Sequence, residues 1–105
     1  MMSEFKGTKG PWFEHREGSS TVYVEARLRD GVIQEVAACG PTEAGSEAQS
    51  ANARLIAAAP DLLLCLQQIV SSAHRLGIVS DDDSGLSLEV SKAEFYIAKA
   101  LGETK

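Results

Sequence analysis

The sequence predicts an α+β domain in which a three-stranded antiparallel meander is followed by three helices. Two observations lead to this class. The N-terminal half alternates apolar and polar residues with the period of two typical of half-buried strands. The C-terminal half spaces its apolar residues three or four apart, as amphipathic helices do. The spacing changes from strand-like to helix-like near Gly40-Pro41. We therefore expect a β half at about 10–40 and a helical half at about 46–102, within a single domain over residues 1–105.

Three segments of the β half have strand character. Trp12–Arg16 is the first predicted strand, Thr21–Arg29 the second and Val32–Cys39 the third. The second is the clearest, because every other residue in it is apolar: Val22, Val24, Ala26 and Leu28. We expect these four side chains to lie on one buried face.

The turn after the second strand leaves the register of the hairpin open. Asp30-Gly31 supplies the positive φ angles that a tight turn requires. A two-residue turn places Glu35 opposite Ala26, whereas a bulged three-residue turn places Gln34 there. Both registers fit the sequence.

The first predicted helix runs from Ser46 to Ala59. Ser46 and Gln49 fit a capping box, in which the serine caps the backbone and the glutamine reaches back to it. Pro60 is predicted to end or kink this helix, because proline lacks an N–H group and clashes with the preceding turn. The expected inward side chains are Ala51, Leu55 and Ala58 or Ala59.

Two more helices are predicted after Pro60. One begins at Asp61 and is closed by Gly77, and the other runs from about Leu88 to Leu101 before Gly102. The acidic loop Ser80–Gly85 separates them. The inward residues expected are Leu62, Leu66, Ile69, Ala73 and Leu76, flanked by Leu63 and Val70, in the first, and Val90, Ala93, Ile97 and Leu101 in the second.

Composition and charge restrict the classes of function. The net charge is −5, which lacks the general attraction to phosphate backbones, so we expect no direct binding to nucleic acid. Because Asp61 interrupts the longest apolar run and the N-terminus has no apolar segment, we expect no membrane span and a cytoplasmic protein. Cys39 and Cys65 are expected to be reduced and to pack as small apolar residues.

Catalytic and metal-binding patterns are not evident in the sequence. The three aspartates Asp81–Asp83 lack the sixth-position glycine and twelfth-position glutamate of a calcium loop. His15 and His74 are expected to be surface residues rather than ligands. We therefore expect a protein that is not an enzyme and that has no cofactor and no metal.

Residues suited to binding a nucleotide do occur. Aromatic rings and guanidinium groups on one face can hold a base and a phosphate. The candidate ligand-binding residues are Trp12, Tyr23, Arg27, Arg29, Asn52 and Arg54. The alternative interpretation is that Trp12 belongs to the core and that the two strand arginines are solvated, paired with Glu25 and Glu35.

One segment carries a resemblance to known proteins. Asn52–Pro60, read Asn-Ala-Arg-Leu-Ile-Ala-Ala-Ala-Pro, resembles a helix found in many small phage and prophage proteins, where it follows a short β region. That region often opens with Gly-Pro-Trp, as at Gly10-Pro11-Trp12 here. The order of elements is also similar to that of phage anti-Thoeris proteins, which sequester cyclic ADP-ribose-type signals and form oligomers.

The resemblance implies a phage or prophage protein in the cytosol of a bacterial host. On that basis we expect a non-enzymatic homo-oligomer, an anti-defence protein that sequesters a cyclic nucleotide or cyclic ADP-ribose-type signal. An alternative is an anti-CRISPR-like protein that blocks a host defence protein by direct binding. A further alternative is a phage accessory protein with no small ligand.

Overall fold

The computed structural model describes residues 4–18, 20–78 and 86–103. The acidic loop predicted at Ser80–Gly85 lies outside them. Within them the chain forms three strands and two α-helices: β1 (Trp12–Glu17), β2 (Thr21–Arg27), β3 (Ile33–Cys39), α1 (Ser46–Arg75) and α2 (Ser87–Ala100). The strands form one antiparallel sheet in the order β1-β2-β3, so the predicted α+β class and meander are confirmed.

The hairpin between β2 and β3 takes the bulged alternative. Ala26 lies opposite Gln34, and the register shifts again between Val24 and Glu25. A short 3-10 turn, Arg29–Gly31, makes the connection, with positive φ angles at Asp30 and Gly31. Because β2 already ends at Arg27, Leu28 lies beyond the strand and is 41% exposed, so its prediction as a core residue is wrong.

The helical part has two helices rather than the predicted three, because α1 continues through Pro60. A proline inside a helix costs about 3 kcal/mol. Ending one helix and starting another instead leaves four carbonyl groups and four N–H groups without intrahelical partners. The continuous helix therefore loses fewer hydrogen bonds than two separate helices would. It ends where the sequence predicts, before Gly77, whose φ angle is +84°.

Residues Gly7–Asp61 form one compact unit, comprising the sheet and the first part of α1. Its core contains Val22, Val24 and Ala53, with Trp12 and Ile56 packed against them. The inward face of α1 here differs from the predicted one. Ala51, Ala58 and Ala59 are exposed, and Leu55 is 65% exposed. The small side chain of Ala53 fits against the sheet.

Gln49 ties the start of α1 to the sheet. It is 2% exposed, and its side-chain amide donates to the carbonyl oxygens of Ser20, at 2.9 Å, and Cys39, at 2.6 Å. Its backbone N–H donates to the carbonyl of Gly45, which places Ser46 in the first helical turn rather than at the cap. The predicted capping box is therefore wrong, because the glutamine side chain bonds across to the strand ends.

The second compact unit contains the described residues from Leu62 onward, together with residues 4–6. Its core confirms the prediction for α2: Val90 and Ile97 are buried, with Ala93 and Leu101 packed against them. On α1 the inward residues are Val70 and Ala73, with Leu63 and Leu66 half-buried beside them.

The predicted core stripe of this part of α1 is therefore wrong at three positions. Leu62 is 54% exposed, Ile69 63% and Leu76 79%. Cys65, expected to pack as a small apolar residue, is exposed, whereas Cys39 is half-buried; both are free thiols. Leucine and isoleucine occur on several sides of this helix, so the inward face cannot be identified from the spacing of apolar residues alone.

By length and composition, α1 meets the requirement for a membrane-crossing helix, and the expectation of no membrane span stays a prediction. An 18-residue window within it has a mean hydropathy of 1.5, and 6% of that window is buried. A single helix of this kind is weak evidence for a membrane span, since a core helix can have the same composition. The finding does show that α1 presents much apolar surface.

Candidate functional site

An open groove of about 590 Å³ lies between the end of β1 and the first turns of α1. Both elements belong to the unit Gly7–Asp61. The helix contributes four residues on neighbouring turns, and the strand side contributes two. The described residues that line it are Arg16, Gly18, Ser46, Glu47, Ser50 and Arg54.

Strand alternation explains why Arg16 reaches this groove. Arg16 pairs with Val22, and side chains of directly paired residues share one face of the sheet. Val22 is buried in the same cluster as Ala53 of α1. Arg16 therefore lies on the helix-covered face, where its guanidinium donates a hydrogen bond of 2.7 Å to the Ser50 hydroxyl.

The groove favours anions. Among the described lining residues, two guanidinium groups, Arg16 and Arg54, stand against one carboxylate, Glu47, so this part of the lining is positive in a chain of net charge −5. Ser46 and Glu47, at one end of the groove, belong to the first turn of a 30-residue helix, where N–H groups without intrahelical partners and the helix dipole favour negative charge. Ser46 and Ser50 add hydroxyl groups that can donate to phosphate oxygens.

The structure brings only one of the six predicted site residues to this groove. Arg54 lines it, whereas Asn52 is exposed and lies about 200° around the helix from Ser50. Trp12 is half-buried against the sheet core, and its indole N–H donates to the Thr8 carbonyl at 3.1 Å. That placement agrees with the alternative interpretation of Trp12 as a core residue.

The other three predicted residues lie away from the groove. Tyr23 and Arg27 are on the outer face of the sheet, since they alternate with the buried Val22, Val24 and Ala26. The Arg27 guanidinium lies over the Phe13 ring, 5.2 Å from its centroid. Arg29 is exposed in the 3-10 turn. This outer face, with Arg27 and Phe13 in contact, is a second surface that could hold an anion.

Sequence reasoning missed Arg16 and the two serines. The signal for Arg16 was available: in Trp12–Arg16, alternation places Arg16 on the same face as Trp12. Once Trp12 is assigned to the core side, Arg16 must also face the helix. The serines gave no such signal, because the position of α1 over the sheet depends on the side-chain bonds of Gln49.

Outside the groove, the described residues show few other chemically suggestive groups. In the second unit, His74 Nε2 lies 3.3 Å from Glu94 Oε2 beside a cavity of about 290 Å³. Both side chains are well exposed, so the contact contributes little to stability. Within residues 4–18, 20–78 and 86–103, no three His, Cys, Asp or Glu side chains are grouped as a metal site would need.

A comparison with protein families assigns the chain to one of them. The family model for Salmonella phage P22 protein Y8K6 matches residues 1–104. The chain belongs to the Salmonella phage P22 protein Y8K6 family. Membership in the Y8K6 family confirms the predicted origin in a family of small phage proteins. The similarity to anti-Thoeris proteins stays a prediction. Among curated proteins and solved structures, nothing matches the chain.

Proposed function

We propose that this member of the Y8K6 family is a non-enzymatic binding protein that holds a phosphorylated, nucleotide-type ligand in the β1–α1 groove. The observation that carries the proposal is that Arg16 and Arg54 line one groove beside the N-terminal turns of α1. Held there, a small host signal is withdrawn from its receptor. The protein thus acts by sequestration in the bacterial cytosol, as an anti-defence protein.

The chemistry of the groove suits a phosphate better than a carboxylate. A phosphate offers three or more acceptor oxygens, which two guanidinium forks can engage at once. Helix N-termini bind phosphate through their N–H groups and dipole. The volume of about 590 Å³ lies within the roughly 300–1,000 Å³ common for small-molecule sites. We infer that a cyclic nucleotide or cyclic ADP-ribose isomer is the appropriate size class.

Binding without turnover is consistent with the residues that line the groove. They supply guanidinium, hydroxyl and carboxylate groups, and neither a histidine nor a cysteine is among those six. A hydroxyl nucleophile needs an adjacent base to be activated. The Ser50 hydroxyl instead accepts a hydrogen bond from Arg16, a group that cannot take its proton.

The test is a thermal-shift panel of cyclic nucleotides and cyclic ADP-ribose isomers. A ligand that binds only the folded protein raises its Tm, by an amount that grows with concentration. We expect at least one phosphorylated compound to stabilise the protein, and the shift to be lost in Arg54→Ala. Arg27→Ala, on the outer sheet face, is the matched control and should keep the shift.

Two outcomes would contradict this proposal. If no phosphorylated compound in the panel changes the Tm at millimolar concentration, the groove does not bind this class. If Arg27→Ala or Arg29→Ala loses the shift and Arg54→Ala keeps it, the ligand lies on the outer face of the sheet, where the sequence first suggested it.

A second candidate function, blocking of a host defence protein, is favoured by a different surface. Phe95 and Tyr96 of α2 are 55% and 57% exposed, and their rings meet edge to face at 5.2 Å. Leu88, one heptad before Phe95, is 59% exposed. Exposed aromatic side chains are enriched at the centres of protein interfaces.

A phage plating assay separates the two functions. In a host whose defence the wild-type protein defeats, sequestration predicts that Arg54→Ala loses protection and Phe95→Ser keeps it. Blocking of a protein predicts the reverse. Circular dichroism confirms that both variants are folded before the comparison is made.

A further inference from the structure

We propose that one face of α1 is a self-association surface that pairs antiparallel with the same face of a second copy. This surface, called here the outward heptad face, consists of Leu62, Cys65, Ile69, Ser72 and Leu76. It rests on observations separate from the anion groove. All five residues belong to the unit that begins at Leu62.

The outward heptad face is apolar and open to solvent. Leu62 is 54% exposed, Ile69 63% and Leu76 79%. Chains that remain soluble seldom leave contiguous apolar surface uncovered, and such a patch normally marks an interface. The buried residues Val70 and Ala73 lie on a neighbouring side of the same helix, so among the described residues the core of the unit leaves Leu62, Ile69 and Leu76 exposed.

The spacing on this face is that of a coiled coil. Leu62, Ile69 and Leu76 are seven residues apart, and Cys65 and Ser72 follow the first two by three, as a and d positions do. The large side chains thus alternate with small ones. A small residue at every d position leaves holes into which the large side chains of a facing helix fit.

The structure contains such a hole. An open, mainly apolar cavity of about 440 Å³ includes four residues of this face among those that line it: Cys65, Ile69, Ser72 and Leu76. The other described lining residues are Gln68, Ala73, Ile78 and Leu86. Knobs-into-holes packing inserts a side chain of one helix between four residues of another. A leucine or isoleucine of the second copy has the size and polarity for this cavity.

The charges that flank the face select a second copy in antiparallel orientation. Asp61, Gln68 and Arg75 are seven residues apart, are exposed and occupy one flank, in the order negative, neutral, positive. Antiparallel pairing centred near Gln68 sets Asp61 of each copy against Arg75 of the other. Arg75 contacts the outward heptad face, since its guanidinium donates a hydrogen bond of 2.8 Å to the Ser72 hydroxyl.

The same pairing matches large side chains to small ones. In this pairing the apolar layers centre on residue 67, one residue before the centre of the flanking charges. Leu62 then faces Ser72 of the second copy, and Ile69 faces Cys65 of the second copy. A parallel pair would instead place identical residues opposite one another and would leave Asp61 and Arg75 about 21 Å apart along the axis. Charge and shape therefore favour the antiparallel arrangement together.

The polar flank also argues for a protein occupant over a lipid bilayer. A carboxylate such as Asp61 is costly within the hydrocarbon region of a membrane, and Gln68 and Arg75 lie on the same flank. In an interface between two copies these groups pair at the rim, in contact with water. An interface between two copies therefore explains the apolar composition of α1 without a membrane.

The test is sedimentation velocity of the full chain over a concentration series. We expect a dimer whose dissociation constant rises at least tenfold in Ile69→Glu. The matched control is Leu64→Glu, because Leu64 is 52% exposed on the same helix but lies off the outward heptad face. It should leave the constant within about twofold, since surface substitutions away from an interface change little.

Charge reversal tests the orientation. Asp61→Arg and Arg75→Asp should each weaken the dimer, and the double variant should restore it, because the pair across the interface is then reversed in sign. Oxidation of the dimer should not join Cys65 to Cys65 of the second copy. Circular dichroism checks that each variant retains the helical content of the parent.

Each of the remaining outcomes would overturn the proposal. A monomer at high micromolar concentration excludes a second copy as the occupant. Equal effects of Ile69→Glu and Leu64→Glu place any interface elsewhere, and failure of the double charge variant to restore the dimer excludes the antiparallel pairing. Flotation of a monomeric protein with phosphatidylcholine–phosphatidylglycerol vesicles, lost in Ile69→Glu, would assign the face to a membrane.

Discussion

Replacing Gln49 with leucine should destabilise the protein far more than its small change in size suggests. The substitution removes the two hydrogen bonds to the carbonyls of Ser20 and Cys39. Each bond contributes about 1 kcal/mol, and an unsatisfied group in a site that is 2% exposed adds at least about 1 kcal/mol more. The expected loss is about 2–4 kcal/mol.

Urea unfolding followed by circular dichroism measures this loss. With a slope of about 1–3 kcal/mol per molar urea for a domain of this size, the midpoint should fall by about 1–2 M. Asn52→Leu is the control, because Asn52 is exposed on the same helix and in the same unit. A loss below about 0.5 kcal/mol for Gln49→Leu, equal to that of the control, would show that these bonds do not hold α1 to the sheet.

Two further substitutions test the packing of each unit. Ile97→Ala should lower the free energy of unfolding by about 2–5 kcal/mol, because Ile97 is 3% exposed, whereas Leu88→Ala, at an exposed site, should cost less than about 0.5 kcal/mol. Gly10→Ala should cost about 1–3 kcal/mol, because the added Cβ would lie 2.9 Å from the Cβ of Pro60. Gly40→Ala meets nothing within 4 Å and is its control. Denaturant titration measures all four, and equal losses within either pair would contradict the packing described.

The strands and α2 could be predicted from sequence because a single pattern determines each of them. Alternation over Val22, Val24 and Ala26 has only one apolar face to bury. Helix α2 likewise buries the predicted Val90 and Ile97, with glycine at its end. Where an element has one apolar side and one polar side, the sequence alone shows which side faces the core.

Helix α1 could not be oriented in the same way, because it carries apolar residues on more sides than the described residues cover. Leu62, Ile69 and Leu76 satisfy helical spacing as well as Leu63, Leu66 and Val70 do. The structure buries Val70, leaves Leu63 and Leu66 half-buried, and exposes the first set. The excess that misled the prediction is the feature from which the self-association surface is inferred.

The candidate site was predictable only in part. Arg54 was identified from its position near the start of a helix, but the groove depends on contacts distant in sequence. Arg16 meets Ser50 across 34 residues, and Gln49 reaches Ser20 across 29. Periodicity describes single elements, so it gives no information on which strand end meets which helical turn.

The most direct test of the proposed function is calorimetric titration of the best ligand from the thermal-shift panel into four single variants. We predict that Arg16→Ala and Arg54→Ala each weaken binding about ten- to a hundredfold, because a charge-assisted hydrogen bond contributes about 1.5–3 kcal/mol. Arg27→Ala and Arg29→Ala should bind like the parent. If instead Arg16→Ala and Arg54→Ala retain parental affinity, the β1–α1 groove is not the binding site.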